Sequence, residues 1–247
     1  MLLQGDAIVL AGGTGRVGGA TLAALAREGA RVIVVSRSVE RAREAIDAQL
    51  GGDEAIAAIP FAADLNDPAQ AAAAIAVCVE RFGRIDACVS LAGDSTVAPL
   101  VDTTLEDLRA NMRGFVETAY NLTLPALRAM LAQPYRDGAR SRGRIVVVTA
   151  GSSKQPAPGR GLFGAAKAAV NVLMQAIARE NKADGIVANA LVLGGVATKA
   201  ARGYMNAEDL AAAATPQEVA DALVFLAGDN ASGVNGALVD LNAREVD

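Results

Sequence analysis

The chain has 247 residues, 52% of them hydrophobic and 20% charged, with a net charge of −4. That balance describes a globular chain rather than a disordered one, and it contains no Lys/Arg run of the kind that tracks nucleic acid. Histidine is absent and there are two cysteines, which removes His-based catalysis and His metal sites and leaves too few thiolates for a metal cage, so no metal is expected.

The elements follow one another with little interruption. Ala7–Leu10 reads as a buried strand that enters a glycine-rich turn. Leu22, Leu25 and Ala26 then make the apolar face of a helix that stops at Gly29. Arg31–Val35 is a β-branched strand, followed by a helix over Val39–Leu50 that ends at Gly51-Gly52. Ile59–Ala63 is the third strand. Asp67-Pro68 starts a helix, with a side chain able to cap and a proline at the first turn, and that helix runs to Gly83. Ala87–Leu91 is strand four. Thr103-x-x-Glu106 reads as a capping box opening a long helix, which Pro125 is expected to kink or break. Ile145–Val148 shows no alternation, so both its faces should be covered. A helix over Leu162–Asn181, a strand at Ile186–Val192, a second capping box at Thr215-Pro216-Gln217-Glu218 and a last strand at Ala237–Leu241 complete the chain. Strand–helix alternation with right-handed crossovers predicts an α/β fold: a Rossmann-type doubly wound parallel sheet of about seven strands, helices on both faces, with 1–247 as one domain.

Apolar runs such as Ala71–Val79 are too short for the ~20 residues of a membrane span. Met1–Asp6 has neither a basic region nor an apolar core, so no signal peptide is expected. Cys78 and Cys88 lie in apolar surroundings and read as buried reduced thiols. A cytoplasmic protein with no nucleic-acid or membrane partner is the expectation.

After the first strand the chain reads Ala11-Gly12-Gly13-Thr14-Gly15-Arg16-Val17-Gly18, a G-x-x-G-x-x-G spacing. Glycines there let the chain turn sharply and let backbone amides approach a pyrophosphate seated on a helix N-terminus. The motif follows a strand and opens an apolar-faced helix, the context it requires. Beyond the second strand, where an enzyme preferring NAD places an acid for the ribose 2′-hydroxyl, this chain has Ser36-Arg37-Ser38. No carboxylate repels a 2′-phosphate, and Arg37, with Arg16 from the glycine loop, can pair with one. NADP(H) is therefore expected over NAD(H).

These motifs together resemble the short-chain dehydrogenase/reductase family over nearly the whole chain. Ala11–Gly18 is similar to its T-G-G-T-G-x-x-G loop, with Ala11 for Thr. Asp64, beside Leu65, stands where the family holds the adenine amino group. Ser90-Leu91-Ala92-Gly93 resembles N-N-A-G with both Asn missing, and Leu193-Gly194-Gly195-Val196-Ala197-Thr198 resembles P-G-x-V-x-T, which holds the nicotinamide carboxamide. Leu241-Asn242-Ala243 replaces the family's usual terminal glycines.

The resemblance also implies four catalytic positions. Asn111 matches the Asn of a proton relay, and Lys167 matches the Lys that lowers the Tyr pKa and holds the ribose. The other two are replaced: in Y-x-x-x-K the Tyr position is Phe163, and the Ser position, thirteen residues earlier, is Ala150. Losing a general acid costs about 10²–10⁴-fold and losing an oxyanion donor about 10²–10³-fold. Ser152, Ser153 and Lys154 lie just past Ala150, and Tyr204 lies in the segment that covers substrate in the family; these, with Tyr120 and Tyr135 behind them, are the candidate substitutes. Three readings follow. The chain is a non-catalytic or strongly impaired family member (a pseudoenzyme acting as partner subunit or cofactor sensor), or an NADP(H)-dependent oxidoreductase with an unusual proton donor. The third is a non-redox cyclase, dehydratase or isomerase reusing an apolar pocket, with a small-molecule ligand not identified. Family-like assembly through the helices near Thr104–Gln133 and Gly164–Asn181 predicts a homodimer or homotetramer, or a hetero-oligomer with an active paralogue.

Overall fold

A computed structural model describes residues 1–51, 57–94, 96–198, 201–203 and 205–241. Seven parallel strands, β1 (Ala7–Ala11), β2 (Arg31–Ser36), β3 (Ala58–Ala62), β4 (Ala87–Ser90), β5 (Gly143–Ala150), β6 (Ile186–Leu193) and β7 (Leu238–Leu241), form one sheet in the order β3-β2-β1-β4-β5-β6-β7. The order reverses between β1 and β4, which opens a crevice at their C-terminal ends. Helices α1 (Arg16–Arg27), α2 (Val39–Gln49) and α8 (Pro216–Ala227) cover one face of the sheet. Helices α3 (Pro68–Phe82), α5 (Thr118–Ala132) and α6 (Gly161–Glu180) cover the other.

The strands show why alternation is missing from the sequence. In β1, Ile8 and Leu10 enter the core under α1 while Ala7, Val9 and Ala11 enter the core under α3 and α5. In β5, Val146 and Val148 face one layer, Ile145 and Val147 the other, so both faces are covered as expected. Each apolar side chain taken fully out of water contributes about 1.5–3 kcal/mol. The capping residues act as their chemistry predicts: the Asp67 carboxylate accepts from Ala69 N at 2.8 Å and Gln70 N at 3.3 Å, and Thr215 with Glu218 closes a capping box at α8.

Two local expectations need correction. The first capping box is one residue further on, with Thr104 and Asp107 opening α4 (Leu105–Asn111); Thr103 instead donates its hydroxyl to Leu100 O at 2.8 Å in the preceding turn. Pro125 does not break its helix: α5 runs through it because Leu122, Ala126, Leu127 and Met130 bury one face, and that burial outweighs the roughly 3 kcal/mol a mid-helix proline costs. The irregularity falls earlier, where Met112–Glu117 winds as a π-helix between α4 and α5. A short helix, α7 (Ala207–Ala212), capped by Asn206, has no counterpart among the predicted elements.

Among the described residues α6 is the one helix long and apolar enough to cross a membrane. Its Ala166, Val170, Met174 and Ile177 are buried in the core beneath the sheet, which makes it a core helix.

At the N-terminal edge of the sheet several charges are buried together. Arg144 at the start of β5 donates to the Asp6 carboxylate at 2.8 Å and lies 3.4 Å from Asp229; Arg136 also pairs with Asp6. Asp86 accepts from Ala7 N at 2.9 Å and from Arg84 Nε at 2.7 Å. These groups tie β1, β4 and β5 to the residues after α5 and α8. Removing one partner from a buried pair strands the other charge. Asp6→Ala is expected to cost about 3 kcal/mol in equilibrium urea unfolding, with the Asp6→Ala/Arg144→Met double variant losing less than Asp6→Ala alone.

Candidate active site

The glycine loop lies at the C-terminal end of β1. Gly12 has φ +83°, and a Cβ there would meet Ala92 N and Leu91 C at 3.0 Å. A Cβ on Gly18 would lie 2.0 Å from Gly12 O and 2.7 Å from Gly13 Cα, so the first turn of α1 rests directly on the loop. Gly15 is different: the nearest atom to a Cβ there is 4.0 Å away, and it begins α1 without any side-chain cap. The helix N-terminus therefore presents its backbone amides to open space, as an anion site requires.

Three adjoining cavities continue from this loop across the strand ends. The first, of about 330 Å³, is walled by Gly12, Thr14, Gly15, Ser36, Arg37, Asp64, Leu65, Ala92 and Gly93. The second, of about 710 Å³, shares Gly12 and Gly15 with it and adds Arg16, Val17, Gly18 and Thr198. The third, of about 570 Å³, holds Ala150, Phe163, Lys167, Gly194 and Val196 and shares Gly93 with the first. Residues spread over the chain from Gly12 to Thr198 thus converge on one cleft. Arg37 is exposed at the end of β2, in a wall shared with Ser36 and Asp64. The Asp64 carboxylate accepts from Asn66 N at 3.0 Å and Asn66 Nδ2 at 3.2 Å, which holds the turn after β3 in shape.

Lys167 is buried on α6, 7% exposed, and its ammonium donates to Val148 O at 2.9 Å. Its Nζ lies 4.1 Å from the Phe115 ring centre and 6.0 Å from that of Phe163, and the two rings meet edge to face at 5.3 Å. Burial pushes the Lys167 pKa down to about 7. Phe115 can occupy this place because Gly93, at φ +157°, has no side chain; a Cβ there would be 2.2 Å from Phe115 Cε1. Phe115, Gly114 and Thr118, which all line the cleft, were not among the expected residues. The glycine of Leu91-Ala92-Gly93 was the available signal, since it marks a close approach but not what approaches.

Asn111 lines none of these three cavities. It is fully buried at the end of α4, donates to Asp107 O at 2.9 Å and Thr96 O at 3.4 Å, and its Oδ1 has no partner among the described residues. Of the candidate substitutes past Ala150, Lys154 is paired with Asp240 at 2.6 Å. Ser153 donates to Ala150 O at 2.6 Å and accepts from Asn171 Nδ2 at 2.8 Å. Only Ser152 of the three lines the third cavity. Tyr120 is exposed on α5 and the Tyr135 ring carries the Arg142 guanidinium at 5.0 Å; neither lines the cleft. Tyr204, Asn242 and Ala243 lie outside the described residues. Cys78 and Cys88 are buried free thiols, both pushed up to about 12 by burial.

A doubly wound sheet with this loop at its first strand–helix turn, and a cleft at the reversal of strand order, is a dinucleotide-binding arrangement. The family model for short chain dehydrogenases matches residues 6–209. The chain is 30% identical over 238 residues to a 3-oxoacyl-[acyl-carrier-protein] reductase of Synechocystis, covering 93% of this chain and 92% of that protein. It is 30% identical to the oxidoreductase UcpA of Escherichia coli O157:H7, covering 95% and 92%. A short-chain type dehydrogenase/reductase from Mycobacterium ulcerans superposes with a TM-score of 0.88 at 23% identity, over 100% of this chain and 94% of that one, which bears on the fold. This chain belongs to the short-chain dehydrogenase/reductase family of NAD(P)(H)-binding oxidoreductases.

The burial of Lys167 gives a pH signature. Its folded pKa, about 7, is below the ordinary 10.5, so between these values the unfolded chain holds the proton more tightly. The Lys167 contribution to stability rises with pH across that window, by at most about 1.4 kcal/mol per pH unit, and is flat below it. Lys167→Met removes this dependence. Its stability advantage over the parent should be largest at pH 7 and shrink toward pH 10, measured by urea unfolding at each pH.

Proposed function

We propose that residues 1–247 act as one NADP(H)-binding unit of the short-chain dehydrogenase/reductase type in which conventional carbonyl reduction is severely impaired, and that the chain serves as a partner subunit or cofactor sensor. The observation that carries this is the third cavity: Lys167 is kept, and beside it stand Phe163 and Ala150, which offer neither a transferable proton nor an oxyanion donor. A bound nicotinamide would supply or accept hydride. The residues that fit such a cofactor are Gly12–Gly18 for the pyrophosphate, Arg37 and Arg16 for a 2′-phosphate, Asp64 and Leu65 for the adenine, and Gly194, Val196 and Thr198 with Lys167 for the nicotinamide riboside. The open space at Gly15 and the contact-limited Gly12 and Gly18 support that fit.

A second reading, an active oxidoreductase with a different proton donor, is favoured by Lys167, whose pKa is pushed to about 7 by burial, within reach of neutral-pH proton transfer. Exposed Tyr120 and Val172 on α5 and α6 support assembly of identical chains through those helices. Buried free thiols suit a cytoplasmic setting.

Because the chain has no Trp, cofactor binding can be followed by the fluorescence of the reduced nicotinamide. NADPH should bind at least tenfold more tightly than NADH. Arg37→Asp should remove most of that preference by weakening NADPH, and equal affinities in the parent chain would overturn the NADP(H) assignment. Reinstalling the missing groups tests the impairment: the Ala150→Ser/Phe163→Tyr double variant should reduce small ketones with NADPH at least roughly 10²-fold faster than the parent. A parent chain that already turns over at an ordinary enzymatic rate refutes the impaired reading.

A further inference from the structure

The cavity around Lys167 carries positive charge on an apolar frame. Among the described residues that wall it, Arg160 and Lys167 are the charged ones, and both are cations; Phe115, Phe163, Val196 and Met205 supply apolar surface. Lys167 belongs to the site already described: it is buried, donates to Val148 O at 2.9 Å and has its pKa lowered to about 7 by burial. No role in that site falls to Arg160. A guanidinium keeps its charge at any working pH, and its planar fork matches the two oxygens of a carboxylate.

The local fold holds Arg160 at the cavity wall. Pro158-Gly159 forms a turn closed by Arg160 N, which donates to Ala157 O at 3.0 Å, and Gly159 at φ +73° supplies the positive φ that a type II turn needs after its proline. Arg160 is the residue from which α6 starts, and it provides no side-chain cap. The next residue, Gly161, fits under Leu100: a Cβ there would be 2.9 Å from Leu100 Cδ2. The half-buried Arg160 side chain stands over the Phe163 ring, its guanidinium carbon 5.9 Å from the ring centre. For the helix alone this is an unfavourable place for a cation. A helix N-terminus carries partial positive charge, and the first turn of α6 brings no acid to balance it. An arginine there sets like charge beside like, a local conflict of the kind expected where an anion is to be held.

We propose that Arg160 holds the carboxylate of a ligand whose apolar body lies against Phe163, so that the third cavity takes a small apolar carboxylic acid, bound as its anion. This rests on the third cavity being the ligand end of the cofactor cleft. One guanidinium balances one negative charge, which fits a monocarboxylate. Arg160 binds and selects; no bond is made or broken by it.

The test uses the full chain, titrated by calorimetry with 2-naphthoate and with its uncharged amide, 2-naphthamide. The ratio of the two affinities is read in the parent and in Arg160→Met, Arg160→Gln and Arg37→Met. The parent should bind the naphthoate roughly tenfold more tightly than the amide. Arg160→Met and Arg160→Gln should bring the ratio close to unity by weakening the naphthoate alone, and either variant that keeps the parent's cooperative urea unfolding decides the matter. Arg37→Met should leave the ratio as in the parent. A parent that binds both compounds equally or neither, a ratio that survives loss of the Arg160 guanidinium, or one that is lost in Arg37→Met overturns the proposal. NADPH titration of the same samples reads the cofactor assignment separately. If NADPH fails to bind while the ratio follows Arg160, the cofactor reading falls and the Arg160 site stands; if NADPH binds and the ratio ignores Arg160, the Arg160 site falls alone.

Discussion

The contact on which the cleft depends is between two glycines. Gly18, in the first turn of α1, stands so close to the Gly12 carbonyl that a methyl group would lie 2.0 Å from it. That approach draws the helix N-terminus onto the end of β1 and leaves its amides facing the crevice between β1 and β4. The same logic repeats twice along the strand ends. Gly93 admits the Phe115 ring and Gly164 admits the Ser152 turn. In each case a missing side chain lets one element come within contact distance of another, and the walls of the cleft follow from those distances.

Within that frame the Lys167 site is an unusual environment for an amine. The ammonium has one backbone acceptor and two aromatic rings around it. A ring face attracts a cation, but less than water does. The net effect is a lowered pKa rather than a held charge. Phe163 is an apolar neighbour of that amine, so the character of position 163 bears on Lys167 as well as on its own place, and the two cannot be considered separately.

The corrections share a cause. Thr103 and Thr104 are adjacent residues of the same type, and each is followed three positions later by an acid, Glu106 or Asp107. Local pattern does not separate the two frames; the turn that ends at Thr103 does, by using its hydroxyl on Leu100 O. Pro125 has an unfavourable local propensity that the buried face of α5 overrides. The π-helical stretch Met112–Glu117 has no sequence signature of its own, and it lies where Gly114 passes under Asp94, with a Cβ there only 2.3 Å from Asp94 O.

Strand and helix order, the doubly wound class, the glycine loop and the absence of a hydroxyl on Ala150 and Phe163 were all present in the sequence, because each depends on residue type and spacing over a few neighbours. The strand ranges agree with the structure to within a residue or two, as do most helix ranges, since β-branched runs and caps act locally. Three features were decided by tertiary structure. Phe115 is placed beside Lys167, Ser152 rather than Ser153 or Lys154 faces the cavity, and Asn111 is turned into its own helix and away from the cleft. Each of these depends on which distant segments touch, and a side chain's partners across tens of residues are set by packing, to which local pattern is blind.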